Sequence, residues 1–65
     1  MSSYAGKFKA LNLMEEKYII KECGGDLDLW KVLLKEDPTQ EDDELIQALG
    51  WWRDEETGWT YCCYV

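Results

Sequence analysis

Histidine is absent from the 65 residues. Its absence removes the commonest general base, the commonest metal ligand and every Ser–His or Cys–His nucleophile pair. No run approaches the roughly 20 apolar residues of a membrane helix, and residues 1–10 have no apolar stretch that would serve as a signal peptide. Cysteine is sparse and odd in number, with Cys23 alone and Cys62 and Cys63 adjacent. That is a poor framework for a secreted disulfide scaffold, so a reducing, cytoplasmic setting with free thiols is expected. The last four residues, Cys62-Cys63-Tyr64-Val65, nominally fit a prenylation box, but Tyr64 and Val65 suit that signal poorly and no polybasic segment precedes it.

Other chemistry is missing too. The cysteines lack zinc spacing. The runs Asp42-Asp43-Glu44 and Asp54-Glu55-Glu56 lack the alternating ligands and the glycine of a calcium loop. Gly24-Gly25 lacks the lysine and spacing of a phosphate-binding loop. No ring of convergent polar groups is visible. The expectation is therefore a single small domain spanning residues 1–65 that is not an enzyme and needs no cofactor and no metal.

What the chain does have is aromatic mass and negative charge. There are four tryptophans, four tyrosines and one phenylalanine. A domain this short buries only about 60% of its unfolded surface, and Trp and Tyr each bury roughly 150–250 Å², so large rings substitute for core size. Net charge is −7 and unevenly spread. Residues 1–35 hold six lysines against Glu15, Glu16, Glu22, Asp26 and Asp28, a sum of +1. Residues 36–56 hold Glu36, Asp37, Glu41, Asp42, Asp43, Glu44, Asp54, Glu55 and Glu56 against Arg53 alone, a sum of −8. Such a surface repels phosphate backbones and anionic membranes and attracts basic partners.

The N-terminal third has more than one reading. Tyr4, Phe8, Leu11, Met14 and Tyr18 recur at helical spacing, and Gly6 weakens a helix that starts before it. Lys7–Leu11 also suits a short strand. Asn12 caps a helix over 13–23, with Glu15 placed to bond back and Gly24-Gly25 as its stop. A hairpin over Lys7–Cys23 competes with both, because Tyr18-Ile19-Ile20 has strand character.

Further on, Asp26 caps a helix whose apolar face is Leu27, Trp30, Leu33 and Leu34 and which ends before Pro38. Thr39-Gln40-Glu41-Asp42 resembles a capping box for another helix carrying Leu45, Ile46 and Leu49, which ends at Gly50. The C-terminus reads as a β-hairpin. Trp51-Trp52-Arg53 and Trp59–Val65 form its arms, and Asp54–Gly58 forms its loop.

The fold class is thus α+β: two or three short helices with a C-terminal antiparallel β-hairpin, three-stranded if an N-terminal strand joins it. The order is winged-helix-like. A DNA-reading helix is opposed by charge, because the helix in that position opens on Glu41, Asp42, Asp43 and Glu44.

Two surfaces carry a functional signal. Strand alternation puts Trp59, Tyr61, Cys63 and Val65 on one face of the hairpin and Thr60, Cys62 and Tyr64 on the other. One face packs on the helices, and the other presents rings of the type enriched at binding hot spots. The second surface is the acidic stretch, which brackets the tryptophan pair. Charges that steer an encounter and rings that hold it suit a basic protein partner. The expected contact residues are Trp52, Arg53 and Tyr64 as anchor and Asp42, Asp43, Glu55 and Glu56 as charge.

The function expected is a small acidic protein-binding module that inhibits or adapts a basic partner protein. If that partner binds nucleic acid, carboxylates take the place of phosphates and direct binding to nucleic acid or membrane is not expected. The composition is of the kind common among phage-encoded inhibitors of host machinery. The alternative is an assembly protein that forms a homodimer through its C-terminal hairpin, a final strand at a sheet edge being free to pair with another copy.

Overall fold

The computed structural model describes residues 3–64, with Ser3 and Tyr4 described by their backbone alone. The Tyr4 ring and Val65, to which the periodicities above assign faces, lie outside the described residues.

Helix α1 spans Ser3–Leu13 and runs on into a wider π turn, Met14–Tyr18. The helical spacing of Phe8, Leu11, Met14 and Tyr18 is therefore the reading that the structure supports. The Lys7–Leu11 strand, the 13–23 helix and the Lys7–Cys23 hairpin do not form. Ala10, Met14 and Tyr18 are buried on this helix, whereas Asn12 is exposed in its middle and caps nothing. Gly6 does not interrupt the helix because α1 needs it: a Cβ there would sit 3.3 Å from the Leu49 carbonyl oxygen, so glycine lets the helix approach that turn.

The chain then reverses at Ile19, whose φ of 59° is rare for a β-branched residue. Its carbonyl accepts from Lys35 N at 3.2 Å and opens a hairpin of β1, Ile20–Gly24, and β2, Leu29–Leu34. This corrects the helix expected from Asp26. Leu27, Trp30, Leu33 and Leu34 fit a helical stripe, but the same segment also alternates. Trp30, Val32 and Leu34 face inward, while Leu29, Lys31 and Leu33 face the opposite side. The strand prevails because it pairs on both flanks, with β1 and with the last strand, which satisfies its backbone groups while burying Val32 and Leu34. Gly24-Gly25 is accordingly part of a hairpin and not a helix stop. At Gly25, with φ of 134°, a Cβ would lie 1.9 Å from the Leu29 carbonyl oxygen.

Helix α2, Gln40–Ala48, forms where the cap predicts it, with Thr39 Oγ1 accepting from Asp42 N at 3.3 Å. The box is completed from elsewhere, since the Thr39 amide donates to the Tyr18 hydroxyl at 3.2 Å. The predicted C-terminal strands are present as β3, Trp52–Arg53, and β4, Tyr61–Tyr64.

The protein is α+β: among the described residues two helices lie on one face of a four-stranded antiparallel sheet of order β1-β2-β4-β3. The third and fourth strands come from residues 20–34 rather than from the N-terminus, so neither the three-stranded nor the winged-helix arrangement is realised. β4 lies inside the sheet, so the final strand is not an edge. The core fills the space between sheet and helices: Ala10, Met14, Val32, Ile46, Trp51, Tyr61 and Cys63 are all almost wholly buried.

Candidate functional site

The helices cover only one side of the sheet. The register sets what stands on the other side. Trp52 lies opposite Cys62, which lies opposite Lys31, and Tyr64 lies opposite Leu29. These side chains, with Leu33, share the open face. The Trp52 and Tyr64 rings pack with centroids 5.0 Å apart, and Tyr64 is 64% exposed. Trp59 joins them. Its ring lies close over Gly24, where a Cβ would be 3.3 Å from it, and the Lys31 ammonium stands 6.0 Å from its centroid. Trp59 thus departs from the alternation that grouped it with Tyr61, because it precedes β4 and the Thr60 segment bulges: Thr60 N donates to Val32 O at 2.9 Å and Leu34 N donates to Thr60 Oγ1 at 3.0 Å. The choice between the adjacent tryptophans is also resolved. Trp51 is buried, with its indole N–H donating to the Lys7 carbonyl at 3.2 Å, whereas Trp52 is half-buried on the open face.

At one end of this face the Asp54–Thr60 connection forms an acidic rim. Asp54 organises it, accepting from the Glu56 and Thr57 amides at 3.2 and 3.3 Å and from the Thr57 hydroxyl at 2.7 Å. These donors, the Thr57 hydroxyl first, hold its carboxyl below the usual range. Glu55 and Glu56 are left exposed. Beside the rim, Glu36, Asp37, Arg53, Asp54 and Glu55 border a shallow depression of about 450 Å³ that also reaches Leu33 and Trp59. Cys62, in the middle of the face, is 1% exposed, and its thiol lies 3.4 Å from Asp54 Oδ2. Burial above all, with the neighbouring carboxylate, pushes that thiol up to about 11, so it stays protonated and packs as an apolar group.

The expected contact residues therefore divide. Trp52, Tyr64, Glu55 and Glu56 stand on or beside the open face. Asp42 and Asp43 belong to the other side, and Arg53 packs toward it over Tyr61 from the edge of the depression. Asp42 is 8% exposed, accepts from Lys17 Nζ at 2.8 Å and is bonded by the Tyr18 hydroxyl. Those hydrogen bonds, that of Lys17 first, hold its carboxyl below the usual range. Asp43 accepts from the Tyr61 hydroxyl and from Gln47 at 3.0 Å. Arg53 sits over the Tyr61 ring at 5.3 Å and pairs with Asp37 at 3.4 Å. Asp42 in particular is corrected from a surface charge to an internal clasp. The sequence showed a run of acids in the first turn of a helix, but not which of them the tyrosines of the π turn and β4 would engage.

Compared with known proteins, the chain matches no family model, no curated protein and no solved structure. No helix among the described residues is long and apolar enough to cross a membrane.

Proposed function

We propose that this protein is a protein-binding module that engages a basic partner, an inhibitor or adaptor by class, through the open face of its sheet. The observation that carries the reading is the packed Trp52–Tyr64 pair, presented on a helix-free face next to the Asp54–Glu56 rim. Paired rings offer a large, rigid contact area of the kind that dominates interface energetics. The exposed carboxylates of the rim, Glu55 and Glu56, suit lysine or arginine side chains around that anchor, while in the depression Asp37 is already paired with Arg53. A partner that itself binds nucleic acid fits this pattern, with carboxylates where phosphates would lie.

Self-association through the C-terminal hairpin would have to use β3, since β4 is flanked on both sides. β3 is two residues long and runs directly into Asp54-Glu55-Glu56, so two copies pairing there would bring like charges together.

The test is affinity capture with the tagged protein and with a Trp52→Ala/Tyr64→Ala variant, washed at low and at high salt. A dominant basic partner held by the parent protein and lost from the variant supports the reading. Elution by salt would assign most of the affinity to the acidic rim, and retention in high salt would assign it to the rings. Equal capture by parent and variant overturns the site.

A further inference from the structure

The second face of the molecule carries a different opening. Between α1 and the β1–β2 hairpin runs an apolar cleft of about 430 Å³, walled by Phe8, Leu11, Ile20, Cys23, Trp30 and Trp51. Phe8 packs on Trp30 at 5.4 Å and Trp30 on Trp51 at 6.5 Å, yet Phe8 remains 48% exposed at the mouth. Beside the cleft lies β1, which is the first strand of the sheet and pairs on one side only, with β2. Among the described residues no strand covers its other side. Ile20 and Cys23 point into the cleft from this edge, because their partners Leu34 and Val32 face inward.

The two features share a geometry. A strand added outside β1 extends the sheet under α1. Every second side chain of that strand then points into the cleft, and the rest point to the open side.

Charge and symmetry select the occupant. A second copy adding β1 to β1 about a two-fold axis sets some residue opposite itself. Centred on Glu22 or on Lys21, the pairing opposes like charges, which is destabilising. The net charge of −7 adds repulsion. The irregular register between Ile20 and Glu22, with Lys21 inside it, further blunts the upper part of the edge against self-pairing. The regular part, Glu22 to Gly24, stays open, and acids outnumber lysines around it. Glu15 and Lys31 both line the cleft, Glu22 lies on the edge next to Lys21, and Asp26 and Asp28 follow in the turn, so four acids stand against two lysines.

We propose that β1 and the cleft form a second binding site, separate from the Trp52–Tyr64 face, which takes an extended peptide whose apolar residues alternate with lysine or arginine. The apolar side chains enter the cleft, the basic ones stand on the open side with Glu22 and the turn aspartates, and the peptide backbone pairs with Glu22–Gly24.

The probe is a blocked heptapeptide of alternating lysine and valine, titrated into the isotopically labelled protein and followed by amide and indole NMR shifts. Three controls accompany it: a glutamate–valine analogue, a peptide of the same composition with its lysines and valines in blocks, and the Trp52→Ala/Tyr64→Ala variant. The expected result is shifts at Glu22, Cys23 and Gly24 and at the indoles of Trp30 and Trp51, at least about fivefold weaker binding of either control peptide, and unchanged binding by the variant. Glu22→Lys, an exposed substitution, should weaken the lysine peptide and strengthen the glutamate one. Phe8→Ser should weaken both, with retained spectral dispersion showing that the fold is intact. Shifts confined to the Trp52–Tyr64 face, no shifts at all, or indifference to the Glu22→Lys exchange would overturn this site. Since the two sites are read by different residues, that result leaves the partner capture described above standing, and the converse also holds.

Discussion

Cys62 and Cys63 are neighbours in β4 and both are almost fully buried, yet they serve opposite faces of the sheet. Cys63 is covered by the helical layer, in one cluster with Ala10, Met14, Ile46 and Tyr61. Cys62 is flanked by Trp52 and Lys31, with Asp54 at its thiol. One face is covered by other elements of the chain, apart from the cleft beside β1, and the other by its own side chains. On the helical face, burial is long-range and cooperative, so it sets stability. On the open face, the covering groups are rings and a loop that a partner can contact or displace without dismantling the core.

The largest expected effect lies on the helical face. Ile46→Ala removes a side chain with no exposed surface, and a loss of about 2–5 kcal/mol follows from transfer and cavity costs. A chain of this length holds roughly 3–10 kcal/mol in all, so the variant should be partly unfolded at 25 °C in a urea titration read by tryptophan fluorescence. A loss below about 1 kcal/mol would mean that the helical face is not the closed one.

Next comes the clasp that fixes α2 to the π turn after α1. Asp42 has its folded pKa lowered, so the stability it supplies is present above the ordinary aspartate value of about 3.9 and is lost as the pH falls below it toward the lowered value. Lys17, raised chiefly by its hydrogen bond to Asp42, supplies the counterpart, present below about 10.4 and lost as the pH rises past it. In Asp42→Asn the curve of stability against pH should therefore fall at neutral pH and flatten at both ends. The slope that survives below pH 4 should belong to Asp54, whose carboxyl is also held low. An unchanged acid limb would remove Asp42 from the clasp.

These contrasts show which parts of the structure were legible in the sequence. Thr39 and the Leu45-Ile46-Leu49 stripe announced α2, and the aromatic arms around Asp54–Gly58 announced β3 and β4, because each signal is local and unopposed. The β1–β2 hairpin was hidden. Residues 27–34 satisfy a period of 3.6 and a period of 2 together, and what decides between them is pairing with β4, some thirty residues away. The open face was half legible. Alternation placed Tyr64 and Cys62 there, but the bulge at Thr60 turned Trp59 to the same side. The charges were least legible, since the acids of α2 look alike until Tyr18 and Tyr61 are known to reach Asp42 and Asp43.

On the open face the expected cost to the fold is smaller. Tyr64→Ala removes a ring that is mostly exposed and packs on Trp52, worth about 1 kcal/mol or less. Partner capture should fall far more than stability does. A loss approaching that of Ile46→Ala would show that Tyr64 supports the core and is not free to serve a partner.

The smallest effect has the opposite sign and tests the junction of the two layers. Ile19 takes φ 59° and ψ 118° because two demands meet there. The π turn must deliver Tyr18 inward to Asp42 and Thr39, and the next carbonyl must already face Lys35 N to begin the β1–β2 ladder. One residue has to reverse the chain between them, and a β-branched side chain is strained in doing so. Since the Ile19 side chain is 54% exposed, its replacement forfeits little burial. Ile19→Gly should relieve the strain and, after the extra backbone entropy of glycine in the unfolded chain, leave a net gain of up to about 1 kcal/mol, measured as a higher urea midpoint at unchanged slope. A loss would mean that the Ile19 side chain supports the packing between α1 and the sheet, and that the boundary between the closed and open layers lies one residue further along the chain.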